Sequence, residues 1–153
     1  MGKAALRDRR QRIIGGRPAS LSGVVARHLE TGTGLDPLLR EFCDAFYELP
    51  DAERPGMINE EPALLPDKPQ ANAYLAAVAE HLARRYRLPV PPWTGQPDRF
   101  LKRPFFPCGL ESLKATLLVE SPASFRRRMI FVGADPLYRP RRDTADNEGQ
   151  GND

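Results

Sequence analysis

The sequence has few of the residues that build chemical sites: two cysteines, two histidines and one tryptophan among 153 residues. Two cysteines are too few for a disulfide framework, which favours a reducing compartment. No apolar run approaches the roughly 18 residues that a membrane-spanning helix needs. The basic N-terminus is not followed by an apolar run of signal-peptide length. We therefore expect a soluble cytoplasmic protein without membrane contact.

Recognisable catalytic and metal-binding motifs are also missing from the sequence. The cysteines and histidines (Cys43, Cys108, His28 and His81) show no paired spacing of the kind that holds zinc. The glycine turns lack the lysine of a phosphate-binding loop, and no acid, base and nucleophile form a recognisable set. We expect no metal, no cofactor and no enzymatic activity.

Proline is abundant, with sixteen residues, and predicts short helices joined by extended connectors. Apolar residues recur at helical spacing in five stretches, which predict helices over residues 19–30, 36–49, 69–87, 110–120 and 122–130. A further short helix is predicted to end near Ile58. The predicted fold is all-α, an irregular bundle of four to five short helices with proline-rich connectors and disordered termini.

The helix predicted over residues 36–49 has the clearest pattern. Asp36 is a suitable cap and Pro37 suits the first helical position. An apolar stripe follows, in which Phe42 and Phe46 are expected to be buried. In the helix predicted over residues 110–120, the residues expected to face inward are Leu113, Leu117 and Leu118.

Charge is unevenly distributed along the chain. Residues 1–17 contain six basic residues against one acidic residue, and residues 36–67 contain nine acidic residues against two basic ones. Residues 121–142 contain six arginines against one aspartate, whereas the last eleven residues contain four acidic residues and no basic one. We predict a flexible basic arm over residues 1–17, a single helical domain over residues 18–139 and a disordered acidic tail over residues 140–153.

Three consecutive arginines form the strongest functional signal. Ser121 is a candidate cap and Pro122 a candidate first residue of the helix that carries Arg126, Arg127 and Arg128. At helical spacing, Arg127 points away from the apolar stripe, whereas Arg126 and Arg128 flank it. One interpretation is contact with phosphate or an acidic partner. The alternative is that Arg126 and Arg128 pair with the acidic segment of residues 36–67, leaving Arg127 in solvent.

Trp93, which follows two prolines, has two interpretations as well. It is either an aromatic anchor at an interface or the edge of the protein's own core. The predicted partner-binding residues are Arg126, Arg127, Arg128 and Trp93. For an alternative role in nucleic-acid binding, the candidates are Arg7, Arg9, Arg10 and Arg12 in the basic arm.

Two segments, residues 79–94 and 113–132, resemble small uncharacterised bacterial proteins of toxin–antitoxin-like gene pairs. In some of those pairs the neighbouring gene encodes a nucleotidyltransferase-like protein. The resemblance implies a non-enzymatic, antitoxin-like or adaptor protein that binds a partner protein, for which the product of the adjacent gene is the candidate. The alternative function is that of a small nucleic-acid-binding accessory protein that uses the basic arm and the arginine cluster.

Overall fold

The computed structural model describes residues 13–14, 16–109 and 111–140, in which the all-α prediction is confirmed. Six helices occur in these ranges: α1 (Leu21–Thr31), α2 (Leu35–Glu48), α3 (Arg54–Ile58), α4 (Pro69–Arg85), α5 (Lys114–Glu120) and α6 (Ala123–Arg126). Three 3-10 turns lie at Pro92–Gly95, Pro97–Arg99 and Glu111–Leu113. Most of the predicted basic arm and acidic tail lies outside the described residues.

A small antiparallel ribbon, which we did not predict, precedes the helices. Strand β1 (Ile13–Ile14) pairs with β2 (Arg17–Pro18), so that Ile14 is opposite Arg17. Arg17 also donates a hydrogen bond to Glu48 at the end of α2, with its Nη1 atom 2.7 Å from Oε2. The last residues of the predicted arm are therefore part of the folded domain.

Helix α1 has a capping signal at each end. The Ser20 hydroxyl accepts a hydrogen bond from the backbone N–H of Gly23, one of the donors that a helix start leaves unpaired. Gly32 ends the helix with a φ of 71°, and its N–H donates to the carbonyl of His28. This left-handed conformation is one that glycine adopts without steric cost.

Helix α2 begins one residue before the predicted cap. Asp36 is inside the first turn, so its predicted capping role is wrong, and Pro37 is not the first helical residue. Both residues still suit the first turn, because its N–H groups have no partner within the helix and the helix dipole favours a carboxylate there. The predicted apolar stripe is confirmed, with Phe42 and Phe46 fully buried.

Helix α4 lies at the centre of the fold. It contacts α3, α6 and the two 3-10 turns of residues 92–99, while α1 packs against α2 beside it. Its alanines at positions 73, 76, 77, 79 and 83 are completely buried. Because alanine has a minimal side chain, neighbouring segments approach the α4 backbone closely on several sides.

The two C-terminal helices differ from their predicted forms. Of the three leucines expected to face inward, only Leu117 on α5 is buried, whereas Leu118 on α5 and Leu113 in the preceding 3-10 turn are exposed. Helix α6 ends at Arg126, four residues earlier than predicted. Ser121 does not cap it, because its hydroxyl donates to the carbonyl of Leu117 and accepts the N–H of Val132, with the Val132 carbonyl oxygen 3.0 Å away.

A left-handed residue explains the early end of α6. Met129 has a φ of 61°, the N–H of Ile130 donates to the carbonyl of Phe125, and the N–H of Met129 donates to that of Arg126. This pair of bonds is the Schellman arrangement that commonly closes a helix around glycine. A methionine at this position costs about 1–2 kcal/mol, and nothing in the local sequence announces the turn.

Candidate functional site

The centre of the candidate site is Glu80, a carboxylate inside the protein. It lies on α4, and only 1% of its side chain is exposed. Both oxygens accept hydrogen bonds from arginines: Oε2 from Arg128, and Oε1 from Arg84 and Arg127. We call these four residues the Glu80 cluster. A buried carboxylate is costly unless it is paired in this way.

Of the three arginines in the Glu80 cluster, Arg128 is the buried one. Its side chain is also 1% exposed, and besides Glu80 it donates to the carbonyls of Ser124 and Thr94, each at 2.7 Å. Helix α6 ends at Arg126 and the left-handed residue Met129 follows Arg128 directly, so Arg128 is in a tight turn rather than on a continuing helix. One side chain thereby joins α4, the turn of residues 92–95 and the end of α6.

The other two arginines form the outer rim of the cluster. The Nη2 atom of Arg84 is 3.0 Å and the Nη1 atom of Arg127 is 2.6 Å from the same carboxylate oxygen of Glu80, so the two guanidinium groups lie side by side. Their side chains are 59% and 50% exposed. The ring of Phe100 packs against the guanidinium groups of Arg127 and Arg128, at 5.4 and 4.6 Å from its centroid. Cation–π contact thus orients Arg127.

The protonation of Glu80 follows from these contacts. Burial acts to raise its pKa, but the hydrogen bonds from Arg128 and Arg84 and the positive charges of Arg128 and Arg127 lower it, and the net shift is downward. For Arg128, burial lowers the pKa and the bond to Glu80 acts in the opposite direction. The cluster is therefore a charged network, with three guanidinium groups around one carboxylate.

Acid should weaken the fold through Glu80. Its unfolded pKa is about 4.3, and its folded pKa is lower, so the unfolded chain takes up the proton first as the pH falls. The stabilising effect is present above pH ~4.3 and is lost as the pH falls through the folded pKa. Urea denaturation at several pH values should show a smaller loss of stability in acid for Glu80→Gln than for the wild type. An unchanged acid dependence in that variant would show that other carboxylates cause it.

A second buried arginine, Arg99, stabilises the neighbouring connector. Its Nη2 atom is 2.6 Å from the carbonyl of Pro62, and its guanidinium group lies over the ring of Trp93, 4.8 Å from the centroid. Trp93 in turn donates its indole N–H to the carbonyl of Ile58 at 3.0 Å. These contacts close the proline-rich connector of residues 59–68 over the core, and they make Trp93 part of the core edge rather than an exposed anchor.

The predicted arginine cluster is brought together differently from our expectation. Arg128 is buried, Arg127 is half exposed and also pairs with Glu80, and Arg126 is exposed. Arg127 thus reaches solvent as predicted, whereas the role in the fold predicted for Arg126 is wrong. Because α6 ends at Arg126, the helical spacing from which these positions were predicted does not continue through Arg127 and Arg128. The predicted pairing of Arg126 and Arg128 with residues 36–67 is wrong too: Arg128 pairs with Glu80, and Arg126 is exposed and makes no ion pair with the described residues of that segment.

The acidic segment of residues 36–67 meets arginines from other parts of the chain. Arg17 pairs with Glu48, as described above. Arg139 donates two hydrogen bonds to Asp44, from Nε at 2.9 Å and from Nη2 at 3.2 Å. The oppositely charged stretches therefore do associate, through the edges of the domain rather than through the arginine triplet.

The remaining predicted residues give no site within the described ranges. Arg7, Arg9, Arg10 and Arg12 lie outside those ranges. Cys43 is buried, and burial with the nearby Asp44 charge raises its thiol pKa to about 12, whereas Cys108 is exposed. Among residues 13–14, 16–109 and 111–140, no three histidine, cysteine or acidic side chains are close enough together to hold a metal ion.

Sequence reasoning missed Glu80, Arg84 and Arg99. A signal for Glu80 existed, because Ala76 and Ala83 lie on its face of the helix, one turn away on either side. A charge flanked by small residues on one face indicates close packing around the carboxylate. Arg84, at four residues from Glu80, is a standard helical ion-pair spacing. Arg99 lies in a connector and has no comparable local signal.

A separate surface feature lies on α5. Ala115, Leu118 and Val119 are exposed and follow the i, i+3, i+4 spacing of one helix face; we call them the α5 stripe. Val119 is 78% and Leu118 47% exposed. A helix of seven residues is not stable alone in water, and α5 is anchored through Leu117 and the hydrogen bonds of Ser121. The α5 stripe therefore faces solvent on a helix that these contacts hold to the domain.

Comparison with known proteins supplies no relative for this architecture. No protein-family model, no curated protein and no solved structure matches the chain. Across the part of the chain that the structure describes, no helix combines the length and the apolar character required to cross a bilayer.

Proposed function

We propose that the protein is a non-enzymatic interaction protein of the antitoxin-like or adaptor type, which binds a partner protein in the bacterial cytoplasm. The observation that supports this most directly is the α5 stripe. Single exposed apolar residues are normal on protein surfaces, but adjacent ones on one helix face are typical of interaction sites.

The spacing of the stripe indicates the mode of binding. Apolar side chains at i, i+3 and i+4 are the anchors with which a helix lies in a partner's groove. Covering the exposed parts of Leu118 and Val119 contributes about 1–2 kcal/mol each. Arg126, exposed at the end of α6 and six residues beyond α5, supplies a positive charge for the rim of such an interface.

The test is copurification with the product of the adjacent gene, followed by measurement of the dissociation constant. Leu118→Glu and Val119→Glu should each weaken binding at least about tenfold, since about 1.4 kcal/mol corresponds to a factor of ten. Thr116→Glu introduces the same charge at an exposed position of the same helix, outside the stripe, and should change binding little.

The melting temperatures of all three variants should stay close to that of the wild type, because the substituted side chains are exposed. If Thr116→Glu weakens binding as much as Leu118→Glu, added charge rather than the stripe controls the association. If the adjacent gene product does not bind the wild type at all, the proposed partner is wrong.

A further inference from the structure

The charges of the Glu80 cluster do not balance. Three guanidinium groups, those of Arg84, Arg127 and Arg128, share the single carboxylate of Glu80, which leaves an excess of two positive charges. The positive charges of Arg84 and Arg127 act to lower the pKa of Arg128, as expected of like charges held close together. The excess lies on the solvent side, because Arg128 is buried and the other two are half exposed.

The free hydrogen-bonding capacity of the cluster is on the same side. The Nη1 atom of Arg127 donates its hydrogen bond to Glu80, whereas Nε and Nη2 do not bond to that carboxylate. An arginine can donate two parallel hydrogen bonds to one oxyanion through this pair of atoms. Arg84 donates hydrogen bonds to Glu80 from Nε and Nη2, and its Nη1 atom does not bond to that carboxylate. Glu80 and the Phe100 ring hold Arg127 in place, so an anion would meet guanidinium groups that have already lost most of their rotational freedom.

Among the described residues, the charged neighbours of the cluster along the chain do not supply the missing negative charge. Arg85, next to Arg84 on α4, pairs with Asp135 at 3.2 Å. Arg126, which precedes Arg127 and is exposed, is positively charged and supplies no negative charge either. A carboxylate ligand carries one negative charge, whereas a phosphate monoester carries about −1.5 to −2 at neutral pH. The dianion is the better match to an excess of two.

We propose that Arg84 and Arg127, held by Glu80, form a binding site for a phosphate dianion, either free phosphate or the terminal phosphate of a phosphorylated small molecule. Arg127 supplies the bidentate contact and Arg84 a second donor to another phosphate oxygen. Arg128 is a positioning residue, since it fixes the carboxylate that orients both rim arginines. The site is independent of the α5 stripe and of the partner proposed for it.

The experiment is a titration of the full chain with inorganic phosphate at about pH 8, where phosphate is mainly a dianion. The added phosphate salt replaces chloride salt, so that the ionic strength stays constant. We expect the melting temperature and the Nε–H resonance of Arg127 to change saturably, with a dissociation constant on the order of 1 mM. Arg127→Gln should weaken binding at least about tenfold, because it removes both the charge and the bidentate pair of donors. Arg126→Gln, the matched control, should change it less than about twofold.

Arg127→Lys covers the case in which the glutamine variant folds poorly. This variant keeps the charge beside Glu80 but loses the planar pair of donors. It should therefore remain folded and bind phosphate more weakly than the wild type does. Glycerol phosphate separates the two sources: tighter binding than inorganic phosphate indicates a phosphorylated molecule, and equal binding indicates free phosphate. Either result supports the site.

Three results would overturn the proposal. The first is the absence of a saturable change with phosphate in the wild type. The second is an equal loss of binding in Arg126→Gln and Arg127→Gln, which would indicate nonspecific screening. The third is acetate binding as tightly as phosphate, which would contradict the charge match on which the dianion is assigned.

Discussion

Replacing Glu80 with glutamine is expected to lower the free energy of unfolding by about 3–5 kcal/mol, the usual cost of removing one partner of a buried ion pair. Glutamine has nearly the same shape, so the loss is electrostatic. Arg128 would keep its bonds to the carbonyls of Ser124 and Thr94 but would be a buried charge without a counterion. Arg84 and Arg127 would repel each other, because no negative charge would lie between them. For a domain of this size the melting temperature should fall by roughly 10–20 °C.

The matched control is Glu111→Gln, which removes a carboxylate that pairs with Lys114 on the surface. Exposed pairs contribute about 0–1 kcal/mol, so this variant should melt almost as the wild type does. A double variant, Glu80→Leu with Arg128→Met, removes both charges and should be more stable than Glu80→Gln. Equal melting of Glu80→Gln and the wild type would show that the cluster does not stabilise the fold.

Replacing Phe46 with alanine is expected to cost about 3–5 kcal/mol, the range for deleting a buried aromatic ring. Phe46 is fully buried on α2, with the rings of Phe42, Tyr47 and Tyr86 at 6.1, 5.9 and 5.4 Å between centroids. The guanidinium group of Arg54 lies 5.3 Å from its centre. The cavity would therefore disrupt contacts with three neighbouring rings and one cation, and chemical denaturation measures the loss.

Tyr138→Ala serves as the control, because it deletes an aromatic ring that is mostly exposed. It should change stability by less than about 0.5 kcal/mol, as surface substitutions usually do. Phe46→Leu keeps most of the buried volume and should cost less than Phe46→Ala. If Phe46→Ala and Tyr138→Ala destabilise equally, α2 does not form the centre of the aromatic cluster.

The helices were predictable where the information is local. The stripe that contains Phe42 and Phe46 repeats with helical period within one element, so its burial follows from spacing alone. On α5 the same reasoning failed, because Leu113, Leu117 and Leu118 have similar side chains and tertiary packing selects only Leu117 for the core. Spacing identifies the candidates for burial, and the rest of the fold chooses among them.

The Glu80 cluster was not predictable, for two physical reasons. Glu80 and Arg128 are 48 positions apart in the chain, and the local sequence around each residue does not indicate which residue it pairs with. The inward direction of Arg128 depends on the helix ending at Arg126, and that end depends on a left-handed methionine where a glycine would have been the usual signal. Sequence reasoning found the arginines as a notable feature and placed Arg127 at the surface and Arg128 in the fold, but it wrongly assigned Arg126 to the fold as well.

The long separation of Glu80 and Arg128 has a consequence for the order in which the protein is made. A ribosome adds roughly 5–20 residues per second, so α4 emerges several seconds before its counterion exists. During that interval the carboxylate of Glu80 must remain in water, since burying it alone is costly. The alanine-rich face of α4 therefore stays uncovered until residues 124–128 have left the exit tunnel. Folding of this domain is therefore expected to finish only after its last helix has been synthesised.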